Sequence, residues 1–444
     1  MLSVLVSQPG NLDAQEPEPP RIGLALAGGG ALGFAHLGVI LELEALGVPV
    51  HYVSGTSMGS IIGALYATGY TAEEMLELVS ETDWRELFTD RPPRRGRSYR
   101  ERRAETSYLL DLGFGEEGIV LGSGVSSGQN VVQLLDETMR AYAVSGSFDR
   151  FPRPLRIVAT DLIDGEEVVF DEGDLKSAIR ASMAVPGVFT PLEYRDRLLI
   201  DGGWVNVLPV DALNGLGADR IIAVNLSDLT VTEEELDSLP AVLNQSSAIL
   251  RRPRLEENLA KADVIIEPDV SGYSVASFEQ ALALVEAGRQ AARMVSSQLK
   301  RLATIAEPEP SVAAAARPNP AGDSGIRIWR IAYSEERPGI EEQTILARQL
   351  LGKTKISEVQ RSVYALYDTG RYTYVSYELL REPQGLALMV HLKPREPART
   401  ILRGGYTFRS QPFSSVNPRF VMRSNLTVTD VTTPRSELGT TVHL

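Results

Sequence analysis

The stretch His51-Tyr-Val-Ser-Gly-Thr-Ser-Met-Gly59 decides how this chain folds. His51-Tyr52-Val53 reads as a short strand that breaks sharply at Ser54-Gly55-Thr56-Ser57-Met58-Gly59, and a helix leaves that turn and ends near Gly69. Gly55-Thr-Ser-Met-Gly59 matches G-x-S-x-G on a strand-to-helix turn. A turn that tight strains the serine backbone and holds its Oγ clear of the chain. Glycines at the flanks remove Cβ atoms that would collide there. A five-residue match also reads as a plain glycine turn in a sheet; the strand before it and the helix after it favour a nucleophile elbow on Ser57.

Working outward, Ile22-Gly-Leu-Ala-Leu-Ala27 is a buried strand closed by Gly28-Gly29-Gly30, and a helix from about Gly33 to Leu46 stops at Gly47. Thr71-Ala-Glu-Glu74 has capping-box spacing, with the threonine hydroxyl able to accept an orphan backbone N–H. Alternation continues with a helix near Asn130–Ala143 and strands near Leu155–Thr160, Val168–Phe170, Leu198–Ile200, Ile221–Leu226 and Val264–Ile266. A long helix covers about Ser277–Leu302. Apolar strands alternating with amphipathic helices predict an α/β fold with a mostly parallel sheet covered on both faces.

The Pro- and Ala-rich segment from Glu307 to Gly322, within 306–324, reads as a linker. Beyond it Ile326–Tyr333 alternates as a strand, helices fall near Glu341–Leu351 and Ser357–Thr369, and strands near Tyr372–Leu380 and Gly385–Pro394. That βααββ order predicts a small α+β domain over 325–396. The tail, 397–444, shows strand signals and turns only.

Composition bounds the function. The chain has 444 residues, enough for two or three domains, with 43% hydrophobic and 23% charged residues. A formal charge of −14 argues against nucleic acid as a partner, because phosphate repels an acidic surface. No cysteine is present, so disulfides, thiolate metal sites and a cysteine nucleophile are excluded. No run approaches the ~18 apolar residues of a membrane-spanning helix. Residues 1–20 read as a flexible leader or the remnant of a signal peptide, since no basic residue precedes the apolar start.

Gly28-Gly-Gly-Ala-Leu-Gly33 has two readings. As G-x-G-x-x-G after a strand it fits dinucleotide phosphates at a helix N-terminus, but that reading wants an acidic residue closing the second strand, which ends instead in Val53-Ser54. The other reading is an oxyanion hole of successive glycine N–H groups, each worth roughly 3–4 kcal/mol in a transition state. Next to a serine elbow, acyl transfer is favoured. The serine then needs a base. The four histidines are His36, His51, His391 and His443. The last two lie beyond the expected catalytic domain, and the first two read as structural. A carboxylate must serve, and Asp201 in Leu199-Ile-Asp-Gly-Gly203, closing an apolar strand, is the best placed.

These residues together resemble the patatin-like phospholipases. The glycine loop Gly28–Gly33, the elbow Gly55–Gly59 and Asp201-Gly-Gly203 look like that family's three signatures, with Ala159–Leu162 and Ala184–Phe189 similar to segments between them. The likeness covers about residues 20–305. It implies a three-layer αβα sandwich over 21–305 and a calcium-independent lipid acyl hydrolase without cofactor. Ser57 would be the nucleophile and Asp201 the proton acceptor, with Gly28, Gly29 and Gly30 lining the oxyanion hole. Gly33, Gly55, Gly59 and Gly203 are motif positions. Leu32 departs from the pattern, since many relatives carry a basic residue there. The module Ile326–Pro394 resembles a POTRA domain, and the tail resembles the first strands of an outer-membrane barrel or an incomplete sheet that folds back. That resemblance implies a Gram-negative outer-membrane or surface-delivered lipase; a tail this short supplies too few strands for a closed barrel, so the chain reads either as truncated or as one whose tail folds back.

Expected partners are phospholipid or lysophospholipid, a membrane surface, and a second copy in a homo-oligomer. The Arg91–Arg103 cluster reads either as a solvated loop or as a steering patch for anionic lipid. Met183, Val185, Val188 and Phe189 read as core in preference to an acyl pocket. The competing function is a catalytically idle binding or assembly module whose POTRA-like unit recruits chains by strand addition.

Overall fold

The computed structural model describes residues 18–87, 110–115, 118–121, 126–227, 239–308, 325–334, 337–394, 400–409, 419–429 and 437–443. The Arg91–Arg103 cluster, most of the expected leader and most of the expected linker lie outside them.

The central sheet has eight strands. Val264–Ile266, Arg220–Val224, Ile22–Leu26, Tyr52–Thr56 and Leu155–Asp161 run parallel in that order. Arg197–Asp201 and Glu167–Phe170 both pair antiparallel with Leu155–Asp161, and Leu192–Tyr194 closes the edge. The sheet is therefore mixed, with its antiparallel part at one side. The parallel strands are almost wholly buried, which is why they read as unbroken apolar runs: both faces carry helices.

The register does the positioning. Thr56 lies opposite Val158, and Asp201 lies opposite Ala159. One central strand thus holds the residue before the elbow on one flank and the expected base on the other.

Leu175–Ser182 and Leu239–Leu259 are helices that were not legible in the sequence. Leu175–Ser182 has an apolar stripe of Leu175, Ala178 and Ile179, but at eight residues it spans only about two turns, and its polar face of Lys176, Ser177 and Arg180 is buried as well. Arg180 inside it donates to the carbonyls of Ser127 and Thr190, both at 2.8 Å. The second, Leu239–Leu259, contains Pro253, which reads as a breaker. The expected long helix after Ser277 is two, Ala281–Met294 and Ser296–Ile305. The capping box at Thr71 forms, with Glu74 N donating to Thr71 Oγ1 at 3.2 Å and Thr71 N to Glu74 Oε2 at 2.8 Å.

The second unit is a four-stranded sheet in the order Gly352–Lys355, Gly325–Tyr333, Gly385–Pro394, Tyr372–Glu382, with helices Ile340–Leu350 and Ile356–Asp368. It has its own core around Val359, Val363, Tyr377 and Leu388, and Ala143 of the first domain belongs to that core too. Its Tyr372–Glu382 edge faces the first domain. Val144 bridges to Leu379, Ser145 N donates to Leu379 O at 3.0 Å, and Val375 N donates to Gln129 Oε1 at 2.7 Å. The two units therefore share a packed face.

The tail strands Thr400–Arg409, Arg419–Thr429 and Glu437–His443 form an antiparallel meander, and the first of them pairs with Leu110–Gly115 of a hairpin completed by Gly118–Leu121. No helix among the described residues is long and apolar enough to cross a membrane.

Candidate active site

The Tyr52–Thr56 strand ends one residue before Ser57, and the helix Met58–Ala67 begins one residue after it. Ser57 itself takes φ 55° and ψ −122°, one of only three non-glycine residues with positive φ among the described residues. That conformation is costly for an L side chain and persists where the surroundings over-determine it. A Cβ on Gly55 would come within 2.3 Å of Gly59 O, and one on Gly59 within 2.3 Å of Leu26 O. The elbow closes onto itself and onto the neighbouring strand only because both positions are glycine.

Further contacts hold the strained turn. Ser57 N donates to Ser182 Oγ at 2.8 Å, and that hydroxyl donates to Val158 O at 2.6 Å. Ser57 O accepts from Ser60 Oγ at 2.6 Å and Ser60 N at 2.9 Å. Ser54 and Thr56 each donate a hydroxyl to the segment after the base, to Pro209 O at 2.7 Å and Asn206 O at 2.9 Å.

Asp201 ends its strand with every backbone group tied. Its N–H donates to Ala184 O at 3.0 Å, and its carbonyl accepts from Thr160 Oγ1 at 2.9 Å. Oδ1 accepts from Gly203 N at 2.7 Å. Oδ2 is buried and has no strict hydrogen bond, while the Ser57 hydroxyl lies close enough to act on the carboxylate. Burial pushes the carboxyl up to about 6, with the Ser57 hydroxyl, the Gly203 amide and the Arg251 guanidinium each pulling it down. A carboxylate with that affinity for protons, one oxygen anchored, the other without a partner and a serine hydroxyl acting on it, has the properties of a general base working near neutral pH.

The glycine loop packs directly on the elbow: a Cβ on Gly33 would meet Met58 Cγ at 2.3 Å. Of the three glycines expected to line the oxyanion hole, Gly28 needs correction. Its N–H is engaged, donating to Val207 O at 2.8 Å, so Gly28 shapes the loop beside Ser57 but offers no donor. The N–H groups of Gly29 and Gly30 have no protein acceptor among the described residues. Gly30 takes φ +56°, and a Cβ there would sit 2.5 Å from Val275 O. The N–H of Met58, the residue after the serine, is a further free donor at the start of its helix. Sequence reasoning passed over it, although its position next to the nucleophile is the available signal.

The histidines stand apart from this chemistry. His36 is fully buried with Nε2 against Ala27 O at 2.7 Å, and burial lowers its pKa to about 4. His51 Nδ1 accepts from Ile22 N at 2.9 Å, and burial lowers its pKa as well. His391 and His443 lie on strands of the second unit and of the tail. The apolar set divides: Met183 and Phe189 are core, whereas Val185 and Val188 are partly exposed. Leu32 packs partly buried against the core.

Comparison with known proteins finds a family match over part of the chain. Residues 24–214 match the family model described as patatin-like phospholipase. An uncharacterized NTE family protein of Mycobacterium tuberculosis is 33% identical over 219 residues, which is 49% of this chain and 52% of the relative. The mouse patatin-like phospholipase domain-containing protein 6 is 32% identical over 214 residues, 48% of this chain and 14% of that protein. The chain thus spans about half the length of the first of these relatives. Among solved structures, VipD of Legionella pneumophila aligns over 64% of this chain and 67% of its own, at 15% identity and a TM-score of 0.37.

Proposed function

We propose that this chain, which carries a patatin-like phospholipase domain, cleaves the acyl ester of a phospholipid or lysophospholipid through an acyl-Ser57 intermediate with Asp201 as the base. The observation that carries this reading is the Ser57–Asp201 pair: a strained, presented hydroxyl beside a buried carboxylate whose Oδ2 has no other partner.

Ser57 Oγ attacks the ester carbonyl as its proton passes to Asp201. The carbonyl oxygen becomes an oxyanion facing the free N–H groups of Gly29, Gly30 and Met58, at the starts of two helices where the partial charge is positive. Collapse breaks the ester C–O bond, and the leaving alkoxide takes the proton from Asp201. Water then attacks the acyl carbon, gives its proton to Asp201, and Ser57 leaves with that proton. No imidazole or metal is required for these proton transfers.

A fluorophosphonate probe tests the nucleophile. It should label Ser57, as read by peptide mass spectrometry, and purified protein should release fatty acid from phosphatidylcholine or lysophosphatidylcholine. Protein that is labelled elsewhere and releases none would overturn the proposal.

The assembly-module alternative is disfavoured by a specific feature. Strand addition needs an open edge, and the Tyr372–Glu382 edge is already covered by Val144–Ser145 and Gln129. The opposite edge, Gly352–Lys355, has four residues and carries Lys353 and Lys355, which discourage pairing. An outer-membrane or surface setting is part of the same proposal; the POTRA-like order of elements in the second unit supports it, and protease shaving of intact cells tests it.

A further inference from the structure

The helix Leu239–Leu259 lies beyond the residues that match the family model, yet one of its faces meets the loop that follows Asp201. Arg251 Nη1 donates to Gly203 O at 3.3 Å. Arg254 pairs with Glu167 at 3.0 Å and also with Asp211. Asn258 Nδ2 donates to Asn206 Oδ1 at 3.0 Å and to Leu208 O at 2.9 Å. Leu255, 2% exposed, packs in the same cluster as Val207, Leu208 and Val210. Spacings of three, four and seven put these residues on one helical face, so the part of the helix from Arg251 to Asn258 holds the segment that follows Asp201.

Within that face Arg251 differs from Arg254. Arg254 is answered by two carboxylates. Arg251 forms no ion pair among the described residues, and the carboxylate its charge acts on is Asp201. The geometry makes a relay: the guanidinium holds the Gly203 carbonyl, and the N–H of the same residue holds Asp201 Oδ1 at 2.7 Å.

We infer that Arg251 is a positioning residue for the base, fixing the residue that anchors Asp201 Oδ1 and setting a positive charge beside the buried carboxylate. The inference rests on Asp201 being the base in the reading above. Two consequences follow from elementary electrostatics. Without the cation, burial is opposed only by the Ser57 hydroxyl and the Gly203 amide, so the carboxyl becomes harder to ionise. Without the hydrogen bond, Gly203 and therefore Oδ1 lose their tether.

The test is the pH profile of kcat/KM on p-nitrophenyl butyrate for the full chain and for R251K, R251Q and R251M, with circular dichroism as the check of folding. R251M should move the acid limb to higher pH, and a move of about one pH unit lowers kcat/KM at pH 6 by about fivefold. R251K, which keeps the charge, should return the limb toward the parent. R251Q keeps a donor for Gly203 O without the charge, so its limb should follow R251M. If R251M does not fold, R251Q against R251K decides. A folded R251Q or R251M with an unmoved acid limb would overturn the inference while leaving the proposed hydrolysis intact. A parent protein without ester hydrolysis would overturn both.

Discussion

The amide of Ser57 is held by the hydroxyl of Ser182, 2.8 Å away, and that contact ties the nucleophile to a helix 125 residues further along the chain. The same hydroxyl donates to Val158 O on the strand between nucleophile and base. One small side chain therefore fixes the elbow to the frame from which Asp201 is measured. Ser182 belongs to no recognised motif, and its importance follows from the strained backbone it supports.

Ser182→Ala should accordingly do two things. It leaves a buried N–H without an acceptor, which costs about 1–3 kcal/mol. It also frees Ser57 to relax, so kcat should fall while KM for a soluble ester changes little. Urea denaturation and steady-state kinetics on the same preparation measure both. A variant as stable and as active as the parent would show that the elbow is held by its glycines and Ser60 alone.

The dyad makes a sharper claim. Ser57→Ala and Asp201→Asn should each abolish turnover. His36→Gln and His51→Gln should retain it in whatever fraction folds, because those rings serve Ala27 O and Ile22 N. Intact-mass spectrometry after exposure to an activated ester separates the cases: the histidine variants should still accumulate or turn over an acyl adduct. An inactive, well-folded histidine variant beside an active Asp201→Asn would refute the dyad.

The pH dependence follows from the same carboxyl. With its pKa pushed up to about 6, activity should rise with pH through that value as Asp201 becomes a base. His36, lowered to about 4, cannot supply that limb. Stability runs the opposite way. An unfolded aspartate ionises near 3.8, the folded one near 6, so ionising it costs stability as pH rises between those values, and the full cost is present above 6. That cost is roughly 3 kcal/mol. Asp201→Asn should therefore raise the melting temperature at pH 8 and leave it nearly unchanged at pH 4. Equal melting temperatures at pH 8 would mean the carboxyl is not strained by burial.

Much of the site was legible because its residues are constrained locally. A G-x-S-x-G turn needs its glycines for reasons that act within five residues, and the strand that ends in Asp201 is apolar over a run short enough to see. The parts that escaped depend on distant partners. Ser182, Thr160 and Asn206 act through hydrogen bonds that reach segments 125, 41 and 150 residues away. The motif match places Gly28 in the oxyanion hole with Gly29 and Gly30, and only the position of Val207 shows that its N–H is engaged. The antiparallel side of the sheet escaped as well, since Arg197–Asp201 reads the same in either direction.

The face shared by the two units leads to the last prediction. The Pro- and Ala-rich segment before residue 325 suggests units that separate freely, but Lys176 is buried between Asp174, at 2.7 Å, and Asp136, at 3.8 Å, on the first domain, with its ammonium over the Tyr377 ring of the second. Tyr364 and Tyr377 donate to the two oxygens of Asp136 at 2.8 Å and 3.0 Å, and Gln360 Nε2 to its carbonyl at 2.7 Å. Burial raises the Asp136 pKa, and the charge of Lys176 opposes that rise. Removing the cation leaves two carboxylates buried together, so Lys176→Met should cost about 3–5 kcal/mol in the full chain. A fragment ending near Ala306 removes both tyrosines and uncovers the same charges. It should melt below the full chain, and hydrolysis of soluble esters should weaken with it, because the helix Leu175–Ser182 begins beside this network and ends at the serine that holds the nucleophile. Thermal melts and p-nitrophenyl butyrate turnover of the fragment, the Lys176→Met protein and the parent measure this together. A fragment as stable and as active as the parent would show the second unit to be a passenger on the catalytic domain.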